Sequence, residues 1–371
     1  MKEGARIREE EIREFLSAVG WADAVLHPLA GDASTRRYIR VAKGGRTAML
    51  MDQPQLAETQ AAPAGATPEE RRALGYNALA RLAGADCARY AAVAAYLRKA
   101  GLSAPDVFAA DTGRGLLLME DLGDNLYAGA IASGADETEL YESAADALVQ
   151  LHAAPAPATL NGGMTLFPYD ETAFLAETEL LTEWFLPAAL GRRLRRDEAS
   201  EHRAMWQAAL APLAGTQHVF VHRDYHAQNL IWLPAREGIA RVGMLDFQDA
   251  VAGSAAYDLV SLVEDARRDV APELAAAMTA RYLRLTGADA EAFGAAAAIL
   301  AAQRNAKIIG IFTRLAKRDR KPRYLGLIPR VWGYMEKDLQ HPALAELKAW
   351  YEQYVPARAR RGELRSDGDG H

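Results

Sequence analysis

Cysteine is almost absent from this chain: Cys87 is the only one in 371 residues. A lone thiol excludes an intrachain disulfide and leaves no cysteine cluster for zinc, a pattern that suits a reducing, cytoplasmic setting. Cys87 itself reads as a packed bystander. Excess positive charge is lacking too, since 43 Lys and Arg stand against 49 Asp and Glu for a net charge of −6. That balance gives no general attraction to nucleic acid or an anionic membrane, so neither is expected as a partner, and no protein partner is implied. Residues 1–10 have no uninterrupted apolar core and no later span is charge-free over membrane length. A soluble protein is expected.

What is present is ordinary globular material. Half the residues are hydrophobic and a quarter charged, and alanine runs such as Gly294-Ala295-Ala296-Ala297-Ala298 favour close-packed helices. A chain of this length exceeds one small core and predicts two lobes. Ile12, Phe15, Leu16 and Val19 recur at helical spacing, which predicts an amphipathic helix ending near Gly20. Residues 37–41 and 47–51 read as strands around the turn Lys43-Gly44-Gly45-Arg46, and 107–110 and 116–119 as a second pair. The proline-bearing stretch 53–68 reads as a long loop and 69–98 as helical. Helical periodicity then dominates, over 140–152, 174–185, 201–213, 272–285 and 293–316. The expected division is a nucleotide-binding lobe over 1–120, a hinge at 121–124, a helical catalytic and substrate lobe over 125–355, and a frayed tail over 356–371.

One interruption of the helical run carries chemistry. The stretch His222-Arg223-Asp224-Tyr225-His226-Ala227-Gln228-Asn229 fits H-x-D-x-x-x-x-N without a gap, and Asp246-Phe247-Gln248-Asp249 follows it. Between them, 230–233 and 242–245 read as a hairpin of two short apolar strands that returns Asp246 to Asn229. Phosphoryl transfer to an alcohol needs one carboxylate to take the hydroxyl proton, plus an amide oxygen and a second carboxylate to hold Mg²⁺ against the nucleotide phosphates. Asp224 is placed as the proton acceptor, with Asn229 and Asp246 as the hard oxygen ligands. His222 reads as a brace for the loop, and Asp258 as a helix cap or a clamp on the same loop. His226 and Gln228 are candidate substrate contacts, and Asp249 is either a further ligand or substrate contact or a turn-former.

These motifs, with the Gly31–Tyr38 loop and the Leu116–Gly123 segment, resemble the aminoglycoside phosphotransferase-type small-molecule kinases over nearly the whole chain. The resemblance implies an α+β, two-lobed protein-kinase-like fold with a small antiparallel-sheet N-lobe and a mainly helical C-lobe, using ATP and Mg²⁺. Three strings are more particular: Gly-Asp-Ala-Ser-Thr-Arg-Arg-Tyr at 31–38, Met-Asp-Gln-Pro at 51–54, and Asp-Phe-Gln-Asp-Ala at 246–250 with 257–262. They resemble the bacterial anomeric N-acetylmuramate/N-acetylglucosamine kinases of cell-wall recycling, which implies an amino-sugar acceptor and a sugar 1-phosphate product. Alternatives are a kinase for another small alcohol, such as an aminoglycoside, choline or homoserine, and a catalytically silent nucleotide-binding protein.

On the nucleotide side, Ser34 and Thr35 are expected to meet phosphate oxygens, and Glu120 and Leu122 to offer backbone groups to adenine. No lysine stands at Ala48-Met49-Leu50-Met51-Asp52, where kinases of this fold carry the one that pairs with the phosphates. Arg36 or Arg37 is read as its replacement, with Arg37 taken as the nucleotide-binding residue, against a plain surface cluster. Asp52 and Glu58 read as solvated carboxylates. On the acceptor side, Tyr169, Trp184, Arg304, Asn305 and Arg314 are candidates. Arg304, Lys307 and Arg314 form either a basic stripe for a carboxylate or a solvated helix face.

Overall fold

The computed structural model describes residues 2–29, 36–54, 60–84, 86–216 and 218–364. Ser34, Thr35 and Glu58 lie outside the described residues. Two compact units emerge, one made of Met1–Leu151, Pro157–Phe167 and Gln228–Ala250, the other of His152–Ala156, Pro168–Ala227 and Val251–His371. Each is discontinuous in sequence, whereas the expected lobes were contiguous.

The first unit is built on a five-stranded antiparallel sheet, β1 (Val25–Pro28), β2 (Arg37–Lys43), β3 (Arg46–Asp52), β4 (Val107–Asp111) and β5 (Leu116–Met119), in the order β1-β2-β3-β5-β4. Alternation along β2 and β3 sets the pairing: Ile39 faces Leu50 and Val41 faces Ala48 across the ladder, all four buried. The N-terminal helix Lys2–Ala18 lays Ile12, Phe15 and Leu16 onto that face, joined by Trp21, Leu116 and Leu118. Asp52, expected to be solvated, is fully buried at the end of β3, where Arg8 donates to Oδ1 from Nε at 2.9 Å and Nη2 at 2.6 Å. Arg37, directly opposite in the register, is its second partner. Two cations on one carboxylate account for an acid at a dry strand end. The segment expected to be helical over 69–98 is three pieces, Pro68–Ala73, Asn77–Arg81 and Cys87–Lys99, and Cys87 is packed inside. The short strands β7 (Leu230–Trp232) and β8 (Val242–Met244) also belong to this unit.

The second unit is mainly helical. Its small β elements, β6 (Val219–Val221) and β9 (Val251–Gly253), pair antiparallel. The helix Ala290–Lys317 presses on Glu171–Leu180 at Gly310, where a Cβ would stand 2.4 Å from the Leu180 backbone carbon. Only glycine lets the two backbones come that close. Ile328–Asp338 and Ala345–Tyr354, which periodicity did not single out, complete the unit. Against the expectation of an unstructured 356–371, Ala357–Arg360 is helical, and residues 365–371 lie outside the described residues. Among the described residues, no helix is long and apolar enough to cross a membrane.

Behind this unit's polar core, Glu264 and Asp338 are both nearly fully buried and share the Asn305 side-chain amide at 3.0 and 2.9 Å. Burial first, then the Glu264 charge, holds the Asp338 carboxyl well above the usual carboxylate range. The folded state therefore keeps a proton that the unfolded chain releases above about pH 4, and the wild type loses stability as pH rises from there. Asp338→Asn, a neutral isostere, is expected to gain roughly 2 kcal/mol at pH 8 and nothing near pH 4, as read from urea melts at the two pH values.

Candidate active site

In the first unit, the β7–β8 hairpin positions Asn229 and Asp246. Leu230 pairs with Met244, and the Leu245 N–H donates to the Asn229 carbonyl at 2.9 Å, so the chain entering Asp246 runs beside Asn229 as the spacing predicted. Gly243 sits close against Leu122 and Leu233: a Cβ there would lie 3.3 Å from Leu122 Cδ1 and 3.1 Å from Leu233 Cδ1. Asp246 adopts a left-handed backbone, φ +58°, uncommon for a residue with a side chain. Such a conformation persists because its surroundings over-determine it. Phe247 packs against Tyr90 with tilted rings whose centroids are 4.6 Å apart, and Arg89 donates to the Gln248 and Ala250 carbonyls, both at 2.8 Å. Both clamps come from the helix Cys87–Lys99, and sequence reasoning missed them because nothing local links residue 89 to residue 250.

The cation at Asp246 is Arg36. It is 8% exposed, and its Nη2 donates to Asp246 Oδ1 at 2.8 Å. Burial disfavours its charge most strongly, but Asp246, Tyr38 and Asp249 together outweigh that and raise its pKa. Arg37, the expected nucleotide contact, instead turns to Asp52 and leaves its side chain 61% exposed. Successive side chains on an extended segment point to opposite faces, so only one of the two arginines can reach Asp246. Gln248 Nε2 also donates to Asp246 Oδ1, at 3.0 Å, and Oδ2 receives no donor among the described residues. Asp249 is buried against Arg81, whose Nε donates to Oδ2 at 3.0 Å.

The Glu120 N–H donates to the Asp106 carbonyl at 2.8 Å and its carboxylate accepts from Arg236 at 2.6 Å. The Leu122 N–H and carbonyl make no hydrogen bond among the described residues.

The loop that carries Asp224 belongs to the second unit. Asp258, fully buried on the helix Ala256–Val263, accepts the His222 N–H at 2.6 Å and the Arg223 N–H at 2.8 Å, which makes it the loop's clamp rather than a helix cap. Arg223, with φ +80°, is held by an ion pair to Glu177 and lies 4.6 Å over the Tyr169 ring. Glu177 is buried, which raises its pKa, but Lys307 and Arg223 and the bonds from Tyr169 and Gln303 prevail and lower it overall. Tyr169, Asn305 and Lys307 are thus tied into buried networks. His222 is buried, with its ring edge-on to Tyr225. Asp224 is half-buried, His226 buried and Gln228 exposed. Asp258→Ala strands two buried N–H groups and is expected to cost about 3 kcal/mol in a denaturant melt. Loss of less than about 0.5 kcal/mol would show that the clamp is idle.

Residues 25–299 match the model of the phosphotransferase enzyme family, and the chain belongs to that family. It is a phosphotransferase with an alcohol group as acceptor. A Caulobacter vibrioides relative named N-acetylmuramate/N-acetylglucosamine kinase is 48% identical over 362 residues, 95% of this chain and 98% of that one. A Pseudomonas aeruginosa relative of the same name is 32% identical over 345 residues, 90% of each. Among solved structures, the streptomycin-ATP-APH(2'')-IIa ternary complex is similar with a TM-score of 0.53 at 17% identity, covering 90% of this chain and 96% of that one. That likeness shows the fold: α+β, two-lobed and protein-kinase-like, with an antiparallel-sheet N-lobe and a mainly helical C-lobe.

Proposed function

We propose that this chain is an ATP- and Mg²⁺-dependent cytoplasmic kinase that phosphorylates the anomeric C1 hydroxyl of an amino sugar, N-acetylmuramate and/or N-acetylglucosamine. The product is a sugar 1-phosphate that feeds peptidoglycan recycling. The observation that carries this reading is the complete set of Asp224, Asn229 and Asp246 in a chain 48% identical over 95% of its length to a kinase of that name.

Asp224 orients the acceptor hydroxyl and takes its proton. Asn229 and the open oxygen of Asp246 would hold Mg²⁺, which supplies charge neutralisation at the nucleotide phosphates. The donor set fits that ion. Among the described residues there is no group of three or more His, Cys, Asp or Glu able to hold a metal unaided, and Mg²⁺ in such enzymes relies on one or two protein oxygens plus the nucleotide. Arg36 stands in for the missing lysine, because it is the cation buried at Asp246. Ser34 and Thr35 contact the phosphates, and the Leu122 backbone and Glu120 carbonyl receive the base.

The test is ADP release with ATP and Mg²⁺ over N-acetylmuramate, N-acetylglucosamine, plain hexoses and an aminoglycoside, with phosphorus NMR of the product. A sugar 1-phosphate signal from an amino sugar supports the reading. Phosphate on another hydroxyl, or turnover of the aminoglycoside alone, refutes it.

A further inference from the structure

The expected basic stripe on the helix Ala290–Lys317 does not act as one surface. Lys307 is consumed: Nζ donates to the Tyr257 hydroxyl at 2.6 Å and lies 3.6 Å from Glu177 Oε1. Arg304 is different. It is 4% exposed, and its one hydrogen bond among the described residues runs from Nη1 to the Glu264 carbonyl at 3.1 Å. Its Nε and Nη2 donate to no acceptor among the described residues, and neither is a fully enclosed atom. Buried arginines are ordinarily paired, since a desolvated guanidinium with unused donors is costly.

The nearby carboxylate does not satisfy it. Asp265 is 1% exposed, with Oδ1 accepting the Arg267 N–H at 2.8 Å and Oδ2 enclosed without a partner. His226, 5% exposed and two residues from the proposed base, lies 3.4 Å from Arg267 Nη1, so His226 and Arg304 both meet the short segment 264–267, Arg304 through the Glu264 carbonyl. Burial above all lowers His226 to about 4, so its ring is neutral at pH 7. The Nε–Nη2 edge of a guanidinium is a planar two-donor fork that matches the two oxygens of a carboxylate.

We propose that Arg304 is a specificity-determining residue whose unused donors receive a carboxylate carried by the acceptor. The inference rests on the amino-sugar reading and sharpens it: N-acetylmuramate, with an anionic lactyl group, is preferred over N-acetylglucosamine, which has none.

The test is the ratio of kcat/KM for N-acetylmuramate over N-acetylglucosamine in wild type, Arg304→Met and Arg304→Lys. The methionine variant is expected to lower the ratio at least about tenfold, through KM, and the lysine variant to restore part of it by keeping the charge without the fork. With wild type alone, the uncharged methyl ester of N-acetylmuramate is expected to be at least about tenfold poorer than the free acid, an arm that holds even if the variants do not fold. Turnover of both sugars with a ratio that Arg304→Met leaves unchanged, and an ester used as well as the acid, overturns this inference alone. No turnover of either sugar by wild type overturns it together with the amino-sugar reading.

Discussion

Asp224→Asn is expected to slow turnover by about a thousandfold or more while leaving the melting temperature near that of wild type. Asparagine keeps the size and polarity of the side chain but cannot accept the proton of an attacking hydroxyl. The loop's own supports are untouched, because Asp258 grips the His222 and Arg223 N–H groups and the His226 N–H bonds the Asp224 backbone carbonyl at 3.1 Å. Single-turnover ADP release and a thermal melt on the same preparation separate the two effects. A variant that turns over normally would remove Asp224 from the proton-acceptor role. Wild type that binds nucleotide but turns over no acceptor would instead fit a silent nucleotide-binding protein.

Asp246 offers the second large effect, and the structure dictates which substitution is informative. Arg36 and Gln248 both donate to Oδ1. Asp246→Asn keeps an acceptor for them while removing the charge a divalent cation needs, so about a thousandfold loss of Mg²⁺-dependent turnover is expected with a modest change in stability. Asp246→Ala should lose turnover and also about 2 kcal/mol of stability, because it strands the buried Arg36 charge. That figure is set below the cost of breaking a fully buried pair because the Asp246 side chain is 41% exposed. Adding Arg36→Met to Asp246→Ala should recover part of the stability and none of the activity. Urea melts and Mg²⁺-dependent ADP binding read the two consequences apart. Normal turnover in the asparagine variant would sink the cation-site assignment, and full additivity in the double variant would show that Arg36 and Asp246 are not coupled.

Local pattern carried far in this chain. Alternation placed β2 through β5 within a residue or two at most ends, and a helical repeat placed Ile12, Phe15 and Leu16 on the sheet. It stopped at β1, four residues with an exposed burial pattern, and at the helix Ile328–Asp338, which opens on a proline-bearing turn. Asn229 and Asp246 were brought together by a hairpin short enough to be read from apolar runs and turn residues.

The sequence by itself determined the order and spacing of Asp224, Asn229 and Asp246 and the strands that carry two of them, because backbone geometry fixes the side-chain period within each element. Only the tertiary structure decided which arginine serves Asp246, that Asp52 is dry and doubly paired, that Arg81 holds Asp249, and that Arg304 is buried with donors to spare. Arg36 and Asp246 are 210 residues apart and Arg81 and Asp249 are 168 apart. Such pairs arise from how elements pack, and no local period along the chain records them.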